Sequence, residues 1–178
     1  MFYFKAYNYI IRNGVNQEKL YPYNANVSFI LPIIILKNIL FKFLIIKKNQ
    51  CRHQDSEFNA KIRSYKFINY NQVNDEALKR AIVEIGPIAI TINTNMGITG
   101  SNSKFGQYKS GIFNDLNDCG QSGADHAVSV VGYGSENGQD YFIIRNTWGR
   151  TWGENGYIRI ARNKRMCNVG AYAVYPIL

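Results

Sequence analysis

Acidic residues are scarce in this sequence. Its 178 residues include 12 Asp and Glu against 21 Lys and Arg, so the formal net charge is +9. Such a charge would suit nucleic acid or an anionic membrane surface as a partner. The basic residues are scattered along the chain, however, and no nucleic-acid-binding motif accompanies them. We therefore expect a basic, solvated surface without a nucleic-acid partner, and we do not favour a membrane partner.

Several motifs of other enzyme classes are absent. The chain has no G-x-S-x-G nucleophile elbow, and no grouping of its Cys and His residues has the spacing of a zinc site. Residues 132–137, GYGSEN, begin like the dinucleotide-binding motif G-x-G-x-x-G but end in Asn and lack a strand, helix and strand around them. We expect His53 at the surface, and we predict neither a metal ion nor a cofactor.

Cysteine is also scarce. The three cysteines, Cys51, Cys119 and Cys167, form an odd set, so in an oxidising compartment one thiol has no partner. The first ten residues, MFYFKAYNYI, contain no basic n-region, no long apolar core and no small-residue cleavage site. No secretory signal is therefore visible in this chain.

The remaining composition is that of a globular protein, with 46% hydrophobic residues and enough length for one domain with a sizeable core. Apolar spacing predicts a helix over residues 2–13 with Gly14 as its cap. Asn74 predicts the start of a second helix that ends at Gly86-Pro87. Residues 94–123 predict loops, and alternation predicts strands at 88–92, 126–133, 141–147, 156–161 and 171–175. This order indicates an α+β unit dominated by a sheet or barrel.

Residues 27–50 form an anomalous segment, dense in Ile, Leu and Phe, with four Lys and no Asp or Glu. We favour a retained intron, because Val27-Ser28 can be encoded as a splice donor, GTAAGT, and Gln50 as CAG, which ends like an acceptor. A loop insertion this apolar would be an aggregation liability. A membrane span at Val27–Ile46 has about the required length of roughly 20 residues, but each Lys inside it would cost roughly 2.5–3.5 kcal/mol near the bilayer centre.

The most informative motifs lie near the C-terminus. The run Asp125-His126-Ala127-Val128 is followed by Gly132-Tyr133-Gly134 and, twenty residues after His126, by Asn146-Thr147-Trp148-Gly149. A His at the start of an apolar strand can be a buried structural residue or a general base. A hairpin between the two strands would bring Asn146 beside His126, where an Asn can orient the imidazole without adding a full charge.

Read to its end as NTWGRTWGENGYIRI, this stretch resembles the C-terminal half of papain-like, cathepsin-type cysteine peptidases. Residues 6–23, AYNYIIRNGVNQEKLYPY, are similar to a helix-and-loop piece of the same family. The resemblance implies the right-hand antiparallel β-barrel domain of that fold at residues 51–178. A truncated piece of the left-hand helical domain would precede it at residues 1–26, with the anomalous insertion at 27–50 between the two.

The resemblance also implies roles for single residues. His126 would be the general base and acid, Asn146 would orient it, and Trp148 would cover their hydrogen bond. The substrate-binding residues would be Thr91, Ala124, Asp125, Trp148 and Trp152, of which Thr91 and Ala124 would border the main specificity pocket. Cys119 and Cys167 match a disulfide pair of the family, with two free buried thiols as the alternative.

The expected nucleophile is missing. The signature C-G-[SA]-C-[WY] lies roughly 130–150 residues before the family's His and Asn, which is farther than this chain extends before His126. None of the three cysteines lies in such a motif. We therefore predict a cysteine-type peptidase in the full-length protein and no peptidase activity for residues 1–178 alone. The alternative is a non-catalytic papain-fold binding or structural protein, or a pseudogene product.

The resemblance finally implies partners and a location. Substrates would be extended polypeptides, and a propeptide or cystatin-type inhibitors would be further partners. The protein would act in a lysosome-like compartment or outside the cell.

Overall fold

The computed structural model describes residues 2–15, 28–30, 33–36, 39–42, 45–47, 60–70, 72–95, 103–117, 119–120 and 123–178. The chain divides into two compact units, Met1–Ile62 and Arg63–Leu178. Cys51, His53 and the junction residues Asn26 and Gln50 lie outside the described residues. The proposed domain boundaries at residues 26 and 50 stay predictions.

The first unit begins with helix α1, Phe2–Asn13, at the position that apolar spacing predicts. The helix ends at Gly14, which has a φ of 75° and donates its N–H to the carbonyl oxygen of Ile10 at 2.8 Å. Glycine suits this left-handed position because it has no Cβ. An antiparallel bridge between Val15 and Ala60 follows.

The anomalous segment contributes short strands to the first unit. Strand β1, Ser28–Ile30, pairs antiparallel with β4, Ile45–Lys47, and β2, Ile33–Leu36, pairs antiparallel with β3, Ile39–Lys42. The retained intron, the loop insertion and the membrane span at Val27–Ile46 all stay predictions. Among the described residues, no helix is both long and apolar enough to cross a membrane.

Over its described residues, the second unit is a seven-stranded sheet with one α-helix and one short 3₁₀-helix, so the predicted α+β class is confirmed. Its elements are β5 Ser64–Tyr70, α2 Asp75–Glu84, β6 Ile88–Ile92, β7 Ile112–Phe113, β8 His126–Glu136, β9 Gln139–Arg145, β10 Tyr157–Ala161, the 3₁₀-helix Met166–Asn168 and β11 Tyr172–Ile177. The strand order is β5-β11-β6-β8-β9-β10-β7, and every pair is antiparallel except β10 with β7.

Helix α2 begins and ends where its sequence predicts. The side chain of Asn74 accepts a hydrogen bond from the N–H of Ala77 at 2.9 Å, as an N-cap does. At the other end, Gly86 has a φ of 114°, which glycine adopts readily because it has no Cβ. Leu78 is fully buried, so the helix packs its apolar stripe against the sheet.

Alternate residues of the central strands form the core of this unit. Ile88, Ile90 and Ile92 of β6 are each fully buried and lie in register with Val130, Val128 and His126 of β8. Each buried Ile contributes roughly 1.5–3 kcal/mol relative to exposure. His126 therefore emerges from the buried face of the sheet, at the very start of β8.

Strands β8 and β9 form a hairpin with one irregularity. Its turn is Asn137-Gly138, both with positive φ, which suits a tight two-residue connection. The register shifts between Val130 and Gly132, where β8 has one extra residue opposite β9. Such a bulge bends the strand and re-aims the side chains beyond it.

Candidate active site

The hairpin brings His126 and Asn146 together. His126 starts β8, and Asn146 directly follows the end of β9. The Nε2 atom of His126 lies 2.8 Å from the Oδ1 atom of Asn146. Asn146 is 6% exposed, and its own N–H donates to the carbonyl oxygen of Gly156 at 2.9 Å. In this dyad Asn146 is therefore buried and held by the backbone, whereas His126 is partly exposed.

The contacts of Asn146 Oδ1 fix the tautomer of His126. The backbone N–H of Thr147 also points at this atom, at 2.7 Å. An N–H can only donate, so the side-chain oxygen rather than the amide nitrogen must face both groups. The ring atom Nε2 must then carry a proton to donate to that oxygen. In the neutral imidazole this leaves Nδ1 as the acceptor, which is the property a general base requires.

An aromatic cluster packs against the ring of His126. The ring centroid of Trp148 lies 4.9 Å from that of His126, with the planes inclined at 34°. Phe105 is fully buried and approaches His126 at 6.4 Å and Trp148 at 5.7 Å, both edge to face. Trp152 packs on Trp148 at 5.2 Å. These rings pack on the His126 side of the pair, and the shielding of its hydrogen bond to Asn146 from water stays a prediction.

Phe105 is a site residue that the sequence did not reveal. It lies in the stretch 94–123, whose Gly, Ser, Asn and Asp content predicts loops. The neighbouring Gly106 accepts a hydrogen bond from the indole N–H of Trp152 at 3.0 Å. Phe105 is one of three aromatic residues in that polar stretch, with Tyr108 and Phe113, and this signal does not show which group its ring will contact.

A charged network supports the turn that carries Trp152. The Nη2 and Nε atoms of Arg159 contact the Glu154 carboxylate at 2.8 and 2.9 Å, and Gly111 donates its N–H to Glu154 at 2.9 Å. Hydrogen bonds from Arg159 hold the pKa of Glu154 below its ordinary value. Tyr108 donates its hydroxyl to the carbonyl oxygen of Gly111 at 2.6 Å, and burial raises the pKa of this phenol.

The predicted pocket residues occupy different surroundings. Thr91 pairs with Ala127 across β6 and β8, and its hydroxyl is buried without a hydrogen-bond partner among the described residues. Ala124 is exposed. The carboxylate of Asp125 accepts the N–H of Thr94 at 2.7 Å and its hydroxyl at 3.0 Å. Asp125 thus ties the segment before His126 to the end of β6, whereas substrate contacts of all these residues stay predictions.

The structure joins Cys119 and Cys167 in a disulfide, with their Cα atoms 4.7 Å apart. Both residues are buried, at 1% and 0% exposure. The bond lies in the same unit as the dyad, and Cys119 precedes His126 by seven residues. Within the described part of the chain, no cluster of three or more His, Cys, Asp or Glu side chains could hold a metal ion.

The chain resembles known proteins over nearly its whole length. The model of the papain family cysteine protease matches residues 2–177. Cysteine proteinase 3 of Dictyostelium discoideum is 35% identical over 97% of this chain and 43% of its own length. Cathepsin K of Mus musculus is 32% identical over 96% of this chain and 44% of its own length.

Solved structures give the same picture. The digestive procathepsin L 3 of Tenebrio molitor is 32% identical, with a TM-score of 0.74 over 98% of this chain and 47% of that one. The bromelain protease of Ananas comosus, solved in complex with the E64 inhibitor, is 31% identical, with a TM-score of 0.71 over 98% of this chain and 68% of that one. The chain spans a little under half the length of the curated relatives described above.

Proposed function

The chain belongs to the papain family of cysteine proteases, and on that premise we propose that the whole protein cleaves peptide bonds through an acyl-thioenzyme. One observation carries the proposal: the hydrogen bond of 2.8 Å that leaves His126 with a proton on Nε2 and a lone pair on Nδ1. That arrangement suits a base which must take a thiol proton on one nitrogen while the other stays bonded.

The proposed reaction uses both ring nitrogens. Nδ1 of His126 accepts the proton of a cysteine thiol, and Asn146 Oδ1 steadies the resulting imidazolium through Nε2–H. The thiolate attacks the substrate carbonyl, and the imidazolium then gives its Nδ1 proton to the leaving amine. Water, deprotonated by the same nitrogen, hydrolyses the thioester and returns the thiol.

We propose that residues 1–178 alone are inactive. Cys119 and Cys167 are joined in a disulfide and so are not thiols. Cys51 lies in no papain-type signature, because its surroundings read NQCRHQ. Loss of the nucleophile removes covalent catalysis.

Cleavage of a fluorogenic peptide by the whole protein tests the proposed function. General acid–base catalysis contributes roughly 10²–10⁴ to the rate, so we expect His126→Ala to lower kcat by about that factor. E64, which the bromelain structure contains, should label the whole protein and should not label residues 1–178. Activity that survives His126→Ala undiminished would falsify the role of His126. E64 labelling of the 178-residue chain would contradict its inactivity.

The proposed function extends to the substrates, the partners and the location of the whole protein. The whole protein would bind extended polypeptides, with the small side chains of Thr91 and Ala124 leaving room for an apolar residue in the main pocket. A propeptide and cystatin-type inhibitors would compete for the same cleft. A disulfide supports an oxidising environment, such as a lysosome-like compartment or the outside of the cell.

We also propose that residues 27–50 are a retained intron. Sequencing of the native transcript tests this directly. A transcript without these codons would support the proposal, and one that keeps them would favour a true insertion.

A further inference from the structure

We propose that Asn168 is a positioning residue of the candidate site, which anchors the segment Gly123–Asp125 immediately before His126. The Nδ2–H group of Asn168 donates to the carbonyl oxygen of Gly123 at 2.9 Å. This role rests on the proposed function only in taking His126 as the base. No motif in the sequence pointed to Asn168.

The backbone holds Asn168 in a fixed direction. Its N–H donates to the carbonyl oxygen of Arg165 at 3.1 Å, and its own carbonyl accepts the N–H of Ala171 at 3.2 Å. Its φ is 56°, in the left-handed region that Asn enters more readily than most residues. The residue is 4% exposed, and a buried amide is costly unless it is hydrogen-bonded. The bond to Gly123 meets that need for the donor group.

Asn168 and its neighbour hold the same loop at two points. Cys167 is bonded to Cys119, and the next residue, Asn168, reaches Gly123. Gly123 has a φ of 70°, which suits glycine. The 3₁₀-helix thus holds the residues that precede β8 from one side.

The other side of the segment is fixed by β6. Asp125 donates its N–H to the carbonyl oxygen of Ile92 at 3.0 Å, and its carboxylate accepts both hydrogen bonds from Thr94. His126 then continues in register with Ile92. Without Asn168, the segment would be held at Asp125 but free to shift at Gly123.

Such a shift matters because the dyad tolerates little displacement. A catalytic pair needs its supporting residues to hold it within roughly 0.5 Å of its working geometry. His126 is three residues beyond Gly123, and its Nε2–H must reach Asn146 Oδ1 at 2.8 Å. Asn168 is therefore placed to set the position of the imidazole through the backbone, without touching the ring.

Amide hydrogen exchange in the 178-residue chain tests the anchor. Asn168→Gly keeps the left-handed backbone but removes the side-chain donor. Asn168→Asp keeps the shape but puts an oxygen in place of the donor, facing the Gly123 carbonyl. We expect both variants to exchange the N–H groups of Asp125 and Thr94 roughly 5- to 10-fold faster, as the loss of one hydrogen bond implies. Val130, deeper in β8, should keep its wild-type rate.

The ring of His126 provides a second readout. Its nitrogen chemical shifts should move away from those of a pure Nε2–H tautomer in both variants. Asn137→Gly is the matched control, because Asn137 also has a left-handed φ, of 51°, but lies in the exposed β8–β9 turn. This control should leave Asp125, Thr94 and His126 unchanged.

Two results would overturn the proposal. One is unchanged exchange at Asp125 and Thr94 in both Asn168 variants. The other is equal acceleration at Val130, which would mean that Asn168 acts on global stability only. Exchange needs no nucleophile, so the anchor is tested whether or not the whole protein proves to be a peptidase.

Discussion

The side-chain oxygen of the buried Asn146 is hydrogen-bonded, whereas its side-chain nitrogen is not, within the described part of the chain. The oxygen accepts two hydrogen bonds, from His126 and Thr147. The nitrogen is buried with no hydrogen-bond partner among the described residues, and such a group costs roughly 1–3 kcal/mol. Asn146 therefore offers its oxygen to the imidazole while its side-chain N–H group stays without a described partner. An apolar side chain at this position would supply no acceptor.

At this scale we expect Asn146→Ala to lower kcat of the whole protein roughly 10- to 100-fold. The reason is that a hydrogen bond to a charged group is worth roughly 1.5–3 kcal/mol, and the imidazolium would lose one. Steady-state kinetics with a peptide substrate measure the effect. Thr147→Val is the control, because it keeps the backbone N–H that points at the same oxygen. Equal losses in both variants would contradict the assignment.

Single elements are joined to one another by side chains as well as by the sheet. Arg162, just after β10, is 6% exposed and contacts Asp140 of β9 at 2.8 Å and Glu76 of α2 at 3.6 Å. Arg159 of β10 contacts Glu154 in the turn before its own strand and Glu136 at the end of β8. These arginines tie a helix and a turn to the strands that carry the dyad.

We expect Arg162→Met to lower the free energy of unfolding by about 2 kcal/mol. Removal of a buried cation leaves its partners less satisfied, and a hydrogen bond to a charged group contributes roughly 1.5–3 kcal/mol. Urea unfolding of the 178-residue chain provides the measurement. Arg80→Met, on the exposed part of α2, should change the value little. A similar loss in the two variants would show that charge alone, and not the contact, is responsible.

The pair of Glu154 and Arg159 should make stability depend on pH. The folded-state pKa of Glu154 lies below its ordinary value of 4.5 because of its hydrogen bonds from Arg159. Its contribution is therefore fully present above the ordinary value and is lost as the pH falls through the lowered one. We expect Glu154→Gln to lower Tm near neutral pH, and the difference from wild type to shrink at acidic pH, where the Glu154 carboxylate becomes protonated.

The exposed residue Glu84 gives the matching control for this prediction. Glu84→Gln should leave Tm nearly unchanged at both pH values. A Glu154→Gln variant whose Tm deficit persists in acid would show that the carboxylate charge is not what stabilises the turn.

At the scale of the whole molecule, the disulfide closes a long loop of the second unit. Cys119 and Cys167 are separated by 48 positions, and the loop between them contains the dyad and strands β8, β9 and β10. The chain-entropy model assigns roughly 4 kcal/mol to closing a loop of this length. One covalent bond therefore accounts for a large fraction of the stability that a small domain has.

We expect replacement of both Cys119 and Cys167 by Ala to lower the free energy of unfolding by roughly 4 kcal/mol. Denaturant unfolding of the 178-residue chain under oxidising conditions measures this. Cys51→Ala serves as the control and should have a much smaller effect. A double variant as stable as wild type would mean that the disulfide does not stabilise the fold by lowering the conformational entropy of the unfolded chain.

Local patterns in the sequence predicted the elements that depend on neighbouring residues. Helix α2 follows from Asn74 and the apolar stripe after it, and β6 follows from alternating Ile residues. Strand β5 was missed although Tyr65 and Phe67 alternate with polar residues, a pattern that could have revealed it. The contacts of Phe105 and Asn168 could not be predicted, because they join segments that are far apart in the chain. The same holds for the parallel pairing of β10 with β7.

The extra residue of β8 between Val130 and Gly132 has a consequence for changes in chain length. Continued past Arg145, the register places Asn146 opposite Val128, on the face that His126 shares. If β8 paired with β9 without the bulge, the register would move by one residue. Asn146 would then lie on the face opposite His126, because side chains alternate along a strand. His126 and Asn146 therefore share a face only if the number of residues between them changes by an even number. Deletion of one residue from the hairpin would place the two side chains on opposite faces. Deletion of two residues that face each other would shorten the hairpin and keep them together.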